Sequence, residues 1–266
     1  MSTKDLYPSI IQAFILLGVY LGLALMLGFF FSGLIKFDEA SYGFVTFFSY
    51  VIPMVILAVF ALKNTNLQWR QVFGRGAGGD GITYALLAML VLANTFIVDP
   101  ILSFFPVPNW LEEILRDLVK PNLGSILTLT FAAAFLEEYI FRGIVLRGFL
   151  KNYPPGKAIL WSAAFFGIFH FNPWQLFAAF VIGVYMGWLY YRTQSLWPCI
   201  FVHFVNNSLA SVTFLVYGQE DMAIYDFAQD PLLAALSIIG GAAVVYFIYK
   251  VLDKRLPAPQ PITELT

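Results

Sequence analysis

Eight stretches of this chain are long and apolar, and all but the fourth are nearly free of charge: 8–31, 43–62, 82–105, 123–150, 157–171, 175–192, 196–217 and 231–252. About 20 apolar residues in a helix cross the hydrocarbon core of a bilayer. A helix also satisfies its own backbone there, which an open strand cannot do. The pattern predicts an all-α polytopic membrane protein, with about eight transmembrane helices around an intramembrane cavity, as one domain over 1–266. Composition agrees: the chain is 60% hydrophobic and 12% charged, whereas soluble domains average about 45–50% and about 25%. The bilayer is therefore an expected partner and nucleic acid is not; the net charge of −1 by itself points to no partner. One cysteine, Cys199, rules out an intramolecular disulfide framework and a thiolate cluster for zinc.

The first apolar run, Pro8 to Phe31, exceeds a signal-peptide core of about 7–15 residues and reads as a retained membrane helix. The fourth is long and is expected to leave the bilayer near Arg147, while the fifth is short for a full crossing. The segment 109–120 is amphipathic, with Trp110, Leu111, Ile114, Leu115 and Leu118 along one stripe, and is expected to lie in the interface. Lysine and arginine concentrate on the cytoplasmic side of membrane proteins. With eight spans and a cytoplasmic N-terminus, 12 of the 15 basic residues fall inside, leaving Lys36, Arg116 and Lys120 outside with the acidic loop 219–230. Both termini are thus expected to be cytoplasmic, in a bacterial or archaeal cytoplasmic membrane, with 256–266 as a disordered tail.

Within this apolar background, charge concentrates in one place. Glu137, Glu138 and Arg142 sit in the run Phe131-Ala-Ala-Ala-Phe-Leu-Glu-Glu-Tyr-Ile-Phe-Arg142. One ionised side chain at the bilayer centre costs at least about 2.5–3.5 kcal/mol. Glu138 and Arg142 are four apart and share a helix face as an ion pair. Glu137 points about 100° away and faces something else. A structural ion pair accounts for Glu138 and Arg142 but not for Glu137, whose proton affinity in low dielectric is adjustable, as general-base chemistry requires.

The only two histidines, His170 and His203, also interrupt apolar runs. Phe166 lies one turn before His170 and can pack on its ring, and Asn207 lies one turn after His203 on the same face. Each histidine alone could be a hydrogen-bonded core residue or interhelical glue. Their depths argue for more. Measured from Lys151, Lys157 and Arg192, Glu137, His170 and His203 lie roughly 21, 20 and 16 Å into the membrane at about 1.5 Å per residue. Three helices thus bring ionisable groups to a similar level, which implies a site reached by water.

Weaker alternatives remain beside this one. Cys199 and His203 are four apart and could form a nucleophilic dyad, although cysteine is often simply buried. The chain has no His-Glu-x-x-His motif, yet Glu137, His170 and His203 could bind zinc as three protein ligands plus water. Gly183 and Gly187 form a small-residue face suited to helix packing.

In order, Glu137-Glu138-x-x-x-Arg142, Phe166-x-x-x-His170 and His203-x-x-x-Asn207 resemble the CPBP family, the CAAX-protease and bacteriocin-processing (Abi) membrane proteins that include the Rce1-type prenyl-protein endopeptidases. The likeness covers about 120–215, the expected catalytic core. It implies an intramembrane glutamate endopeptidase acting on a membrane-anchored or membrane-associated protein or peptide, in CAAX-type C-terminal processing or in bacterial peptide maturation or immunity. It also implies roles: Glu137 as the base that activates water, assisted by His170; His203 and Asn207 as oxyanion donors; Glu138, Arg142 and Phe166 in support. No cofactor is implied, and a zinc-dependent hydrolase using the ligands above is the runner-up. A non-catalytic scaffold or a proton-coupled transporter would also place Glu and His at mid-depth, but no repeat relates the two halves, as many transporters have.

Overall fold

The computed structural model describes residues 6–34, 39–74, 78–104, 123–217 and 230–258. The amphipathic segment 109–120, most of the acidic loop 219–230 and the tail beyond Ala258 lie outside the described residues. The described elements are helical, in the order α1 Ile10–Leu34, α2 Glu39–Lys63, α3 Gly81–Phe104, α4 over 123–152, α5 Pro155–Ile168, α6 Pro173–Thr193, α7 Trp197–Tyr217 and α8 Pro231–Arg255. The expected all-helical, polytopic class holds. Five described helices are long and apolar enough to cross a membrane: Ile10–Phe30, Val45–Lys63, Gly81–Phe104, Pro173–Thr193 and Pro231–Arg255. The other three expected spans are α4 and α7, which carry the polar groups, and α5, whose 14 residues give about 21 Å of helix against a core of about 30 Å.

Helix starts follow local chemistry. Proline occupies the first turn of α5, α6 and α8, where its missing N–H costs no helical bond. Asp230 caps α8 by accepting from the amides of Leu232 and Leu233 at 2.8 and 3.0 Å. Asp80 caps α3 through the Thr83 amide and hydroxyl at 2.9 and 2.7 Å. Those two Thr83 bonds, with Arg255 nearby, hold the Asp80 carboxyl below its ordinary range.

Helix α4 departs from the regular helix expected. Its α turns, Leu123–Leu127, Ala133–Ile140 and Arg147–Asn152, alternate with π turns at Thr128–Ala132 and Phe141–Leu146. Side chains compete with the backbone ladder at both sites. Thr128 and Thr130 donate to the carbonyls of Gly124 and Ile126, at 2.7 and 2.6 Å. Ser162 of α5 donates to the Phe141 carbonyl at 3.2 Å.

Close backbone approaches hold the neighbours against α4. A Cβ on Gly124 would stand 2.1 Å from the Gly43 carbonyl oxygen, so α2 crosses α4 where neither has a side chain. The small-residue face of α6 packs on α5 as expected: a Cβ on Gly183 would be 3.2 Å from Ala163, and one on Gly187 would be 2.9 Å from Ile159.

One end of the bundle gathers both ends of the described chain. Asn152 donates to the Leu6 carbonyl at 2.6 Å, and Arg147 to the Gln71 carbonyl at 2.9 Å. The Leu196 amide donates to the Phe73 carbonyl at 3.0 Å. Arg192 pairs with Asp253 and donates to the carbonyls of Leu256 and Pro257, each at 2.9 Å. This is the end where the sequence places the basic residues. Arg147 is buried there against the 3₁₀ turn Gln71–Phe73, and the start of the expected tail is held by Arg192.

Candidate active site

Glu137 and Glu138 lie in the α segment between the two π turns of α4, and Arg142 lies in the second π turn. Glu138 and Arg142 are fully buried and paired, Nη1 to Oε1, at 2.8 Å. The guanidinium also lies 4.3 Å over the Phe166 ring, and its Nη2 donates to the Gly183 carbonyl at 3.3 Å. A cation inside a bundle thus has a carboxylate, a carbonyl and an aromatic face around it, which offsets its desolvation. The close packing of Gly183 on Ala163 brings that carbonyl within reach.

His203 of α7 meets both carboxylates. Its Nδ1 lies 2.8 Å from Glu138 Oε1, and a carboxylate only accepts, so Nδ1 carries the proton. Its Nε2 faces Glu137 Oε2 at 3.9 Å. Sequence spacing ties His203 to Asn207 and to the depth of Glu137, but it does not reveal the bond to Glu138. Glu137 points away from the ion pair, as its place on the helix requires. Its Oε1 accepts from the Tyr50 hydroxyl of α2 at 2.5 Å, while its Oε2 is buried with no hydrogen-bond partner among the described residues.

His170 sits past the C-terminal end of α5, half-buried. Its Nδ1 donates to the Phe166 carbonyl at 2.8 Å, so Nε2 is its basic nitrogen. The Phe166 ring lies edge-on between the two histidines, 5.2 Å from His170 and 5.6 Å from His203. Asn207 donates one amide N–H to the Leu129 carbonyl, in the first π turn, at 2.7 Å. Its Oδ1 accepts from Asn206 at 3.2 Å.

The structure therefore joins Glu137, Glu138, Arg142 and His203 directly. It places His170 across Phe166 from them, and Asn207 one turn along α7. Cys199 is buried with its thiol on the Met186 carbonyl at 3.2 Å, in the core rather than on His203. The sequence does not single out Tyr50, which is one of 14 tyrosines with no distinguishing spacing. Beside the site, α3, α4 and α7 enclose an apolar groove of about 550 Å³ lined by Tyr84, Phe131, Phe135, Trp197, Ile200, Phe201 and Phe204.

Among known protein families, the model described as type II CAAX prenyl endopeptidase Rce1-like matches residues 119–209. No curated protein and no solved structure matches the chain significantly. All three motifs lie inside the matched segment. Residues 119–209 of this membrane protein match the Rce1-like CAAX endopeptidase family.

Proposed function

We propose that the protein is an intramembrane endopeptidase that hydrolyses a peptide bond of a membrane-associated protein with water activated by Glu137. The observation that carries this is the buried Glu137 Oε2, which has no hydrogen-bond partner among the described residues and faces His203 Nε2 at 3.9 Å. Buried carboxylate oxygens are nearly always satisfied. One that is not, beside an imidazole and between two helices, suits a water or a substrate group.

In this reading Glu137 Oε2 takes a proton from water as its oxygen bonds to the substrate carbonyl carbon. His170 Nε2 accepts a hydrogen bond from the same water and holds it. The carbonyl oxygen becomes an oxyanion, which the second N–H of the Asn207 amide and His203 Nε2–H stabilise. With Nδ1–H already given to Glu138, that donor requires the imidazolium. Collapse of the intermediate breaks the C–N bond, and protonated Glu137 returns its proton to the leaving amine. No step uses a metal.

The family likeness and the membrane setting support a membrane-anchored protein or peptide cut near its C-terminus as substrate, with prenylated CAAX sequences and bacterial maturation or immunity peptides as the candidates to assay. We place the catalytic core at about 120–215 and both termini in the cytoplasm, at the basic end of the bundle. The test is cleavage of membrane-tethered peptides by purified protein. Glu137→Ala and His170→Ala should each lower kcat by at least about 10²-fold; full activity in both variants would exclude this chemistry.

A further inference from the structure

We infer that Tyr50 is a positioning residue for Glu137, fixing Oε1 so that only Oε2 is left to take the proton. The inference rests on Glu137 being the base. Tyr50 lies on α2, outside the matched residues 119–209, so the site is incomplete without the helices that precede the family domain.

The geometry is specific. The hydroxyl stands 2.5 Å from Oε1, in the short range of a hydroxyl donating to a charged oxygen, about 2.5–2.7 Å. A free carboxylate turns about its last bond and presents either oxygen. With Oε1 held, Oε2 points between α4 and α7 at His203 Nε2. Among the described residues, the other charged and titratable groups around Glu137 are Glu138 with its partner Arg142 on α4, His203 on α7 and Tyr20 on α1. Tyr20 stacks on Phe169 with centroids 4.1 Å apart and lies within electrostatic reach of the Glu137 carboxylate. Tyr50 alone among them bonds to Oε1.

The placement is built into α2. Gly43 and Tyr50 are seven residues apart, two turns along one helix face. The Gly43–Gly124 crossing that presses α2 onto α4 therefore turns Tyr50 toward α4 as well. Pro53, one turn beyond Tyr50, lacks the N–H that would bond the Ser49 carbonyl.

A positioning role predicts loss in the chemical step and not in binding. On the full-length protein in detergent or nanodiscs, with a validated membrane-tethered peptide, Tyr50→Phe should lower kcat by about tenfold or more. KM should stay within about twofold and the melting temperature should hold. Unchanged kcat, or a rise in KM alone, would overturn the inference. Should Tyr50→Phe not fold, 3-fluorotyrosine placed at position 50 keeps the hydroxyl and reports the contact by ¹⁹F NMR. Its resonance should move on Glu137→Gln; a resonance that stays put would overturn the inference. Glu137→Ala run alongside separates the two levels. An inactive Glu137→Ala with an unimpaired Tyr50→Phe rejects only the role of Tyr50, and an active Glu137→Ala rejects the base assignment and the role of Tyr50 together.

Discussion

His203 of α7 donates a hydrogen bond from Nδ1–H to Glu138 of α4 across 2.8 Å. The same Glu138 oxygen accepts from Arg142. One carboxylate thus sets the orientation of the imidazole and neutralises the guanidinium. Removing it strands a buried cation, and breaking a buried pair from one side costs about 3–5 kcal/mol. Glu138→Ala should therefore lower the melting temperature in detergent as well as the cleavage rate. Glu138→Gln, which keeps an acceptor and the shape, should fold better and still lose most of kcat. The check is thermal unfolding and cleavage measured on the same preparations. A fully active Glu138→Gln would separate the ion pair from the chemistry.

Asn207 has two tasks on one amide. One N–H ties α7 to α4 at Leu129, and the other is the proposed oxyanion donor. Asn207→Ala should lower kcat by about 10²–10³-fold, the range for one lost oxyanion donor. Substrate affinity, measured by binding to an uncleavable peptide, should change little. An equal loss of affinity and of rate would make Asn207 a packing residue instead.

Metal removal distinguishes the proposed reaction from its zinc-dependent counterpart. Prolonged chelation should leave cleavage unchanged, and elemental analysis should find less than one metal per chain. Stoichiometric zinc that disappears in His203→Ala would reverse that conclusion.

Gly183 stands between α5 and the cation site. A methyl group there would sit 3.2 Å from Ala163 and 3.3 Å from Arg142 Nη2. Gly183→Ala should force α6 outward at a cost of about 1–3 kcal/mol, the usual range for overpacking, and lengthen the bond from Arg142 to the Gly183 carbonyl. Thermal melts read the first effect and kcat reads the second. A stability equal to wild type would show that α5 and α6 can separate freely.

Asp80 links α3 to the end of α8 through Arg255 at 2.7 Å. The Thr83 bonds lower its folded-state pKa, so its contribution to stability is present above the unfolded-state value and is lost as pH falls through the lowered one. The melting-temperature gap between wild type and Asp80→Asn should be open at pH 7 and close as pH falls below the ordinary carboxylate range. The gap should be small, because both partners are exposed to water. A gap that is constant with pH would show that the ionised Asp80 carboxylate adds nothing to stability.

Most helix limits could be read from the sequence to within a few residues. The run 231–252 became Pro231–Arg255, and 196–217 became Trp197–Tyr217. Apolar length is a sum over many residues, and proline at the first turn marks the start. The Glu138–Arg142 pair was legible too, because i,i+4 geometry is local to one helix. What escaped was whatever depends on how helices turn toward one another. The bond from His203 to Glu138 needs the rotation of α7 against α4, and Tyr50 needs the Gly43–Gly124 crossing. The π turns escaped for a different reason: they arise where Thr128, Thr130 and Ser162 divert carbonyls, and hydroxyl groups in a helix more often leave its ladder intact.

The split of the acidic pair into Glu138, matched within its own helix, and Glu137, matched from other helices, bears on how the chain enters the membrane during synthesis. Glu138 and Arg142 can neutralise each other as soon as α4 forms, before any neighbour docks. Glu137 cannot. Its partner on α2 has already been made when α4 emerges from the ribosome, whereas His203 follows more than sixty residues later. The tyrosine hydroxyl is thus the first group able to shelter this carboxylate from lipid. The nascent bundle can pass through a stage in which the charge is chaperoned by α2 while the opposite wall of the pocket is still being translated.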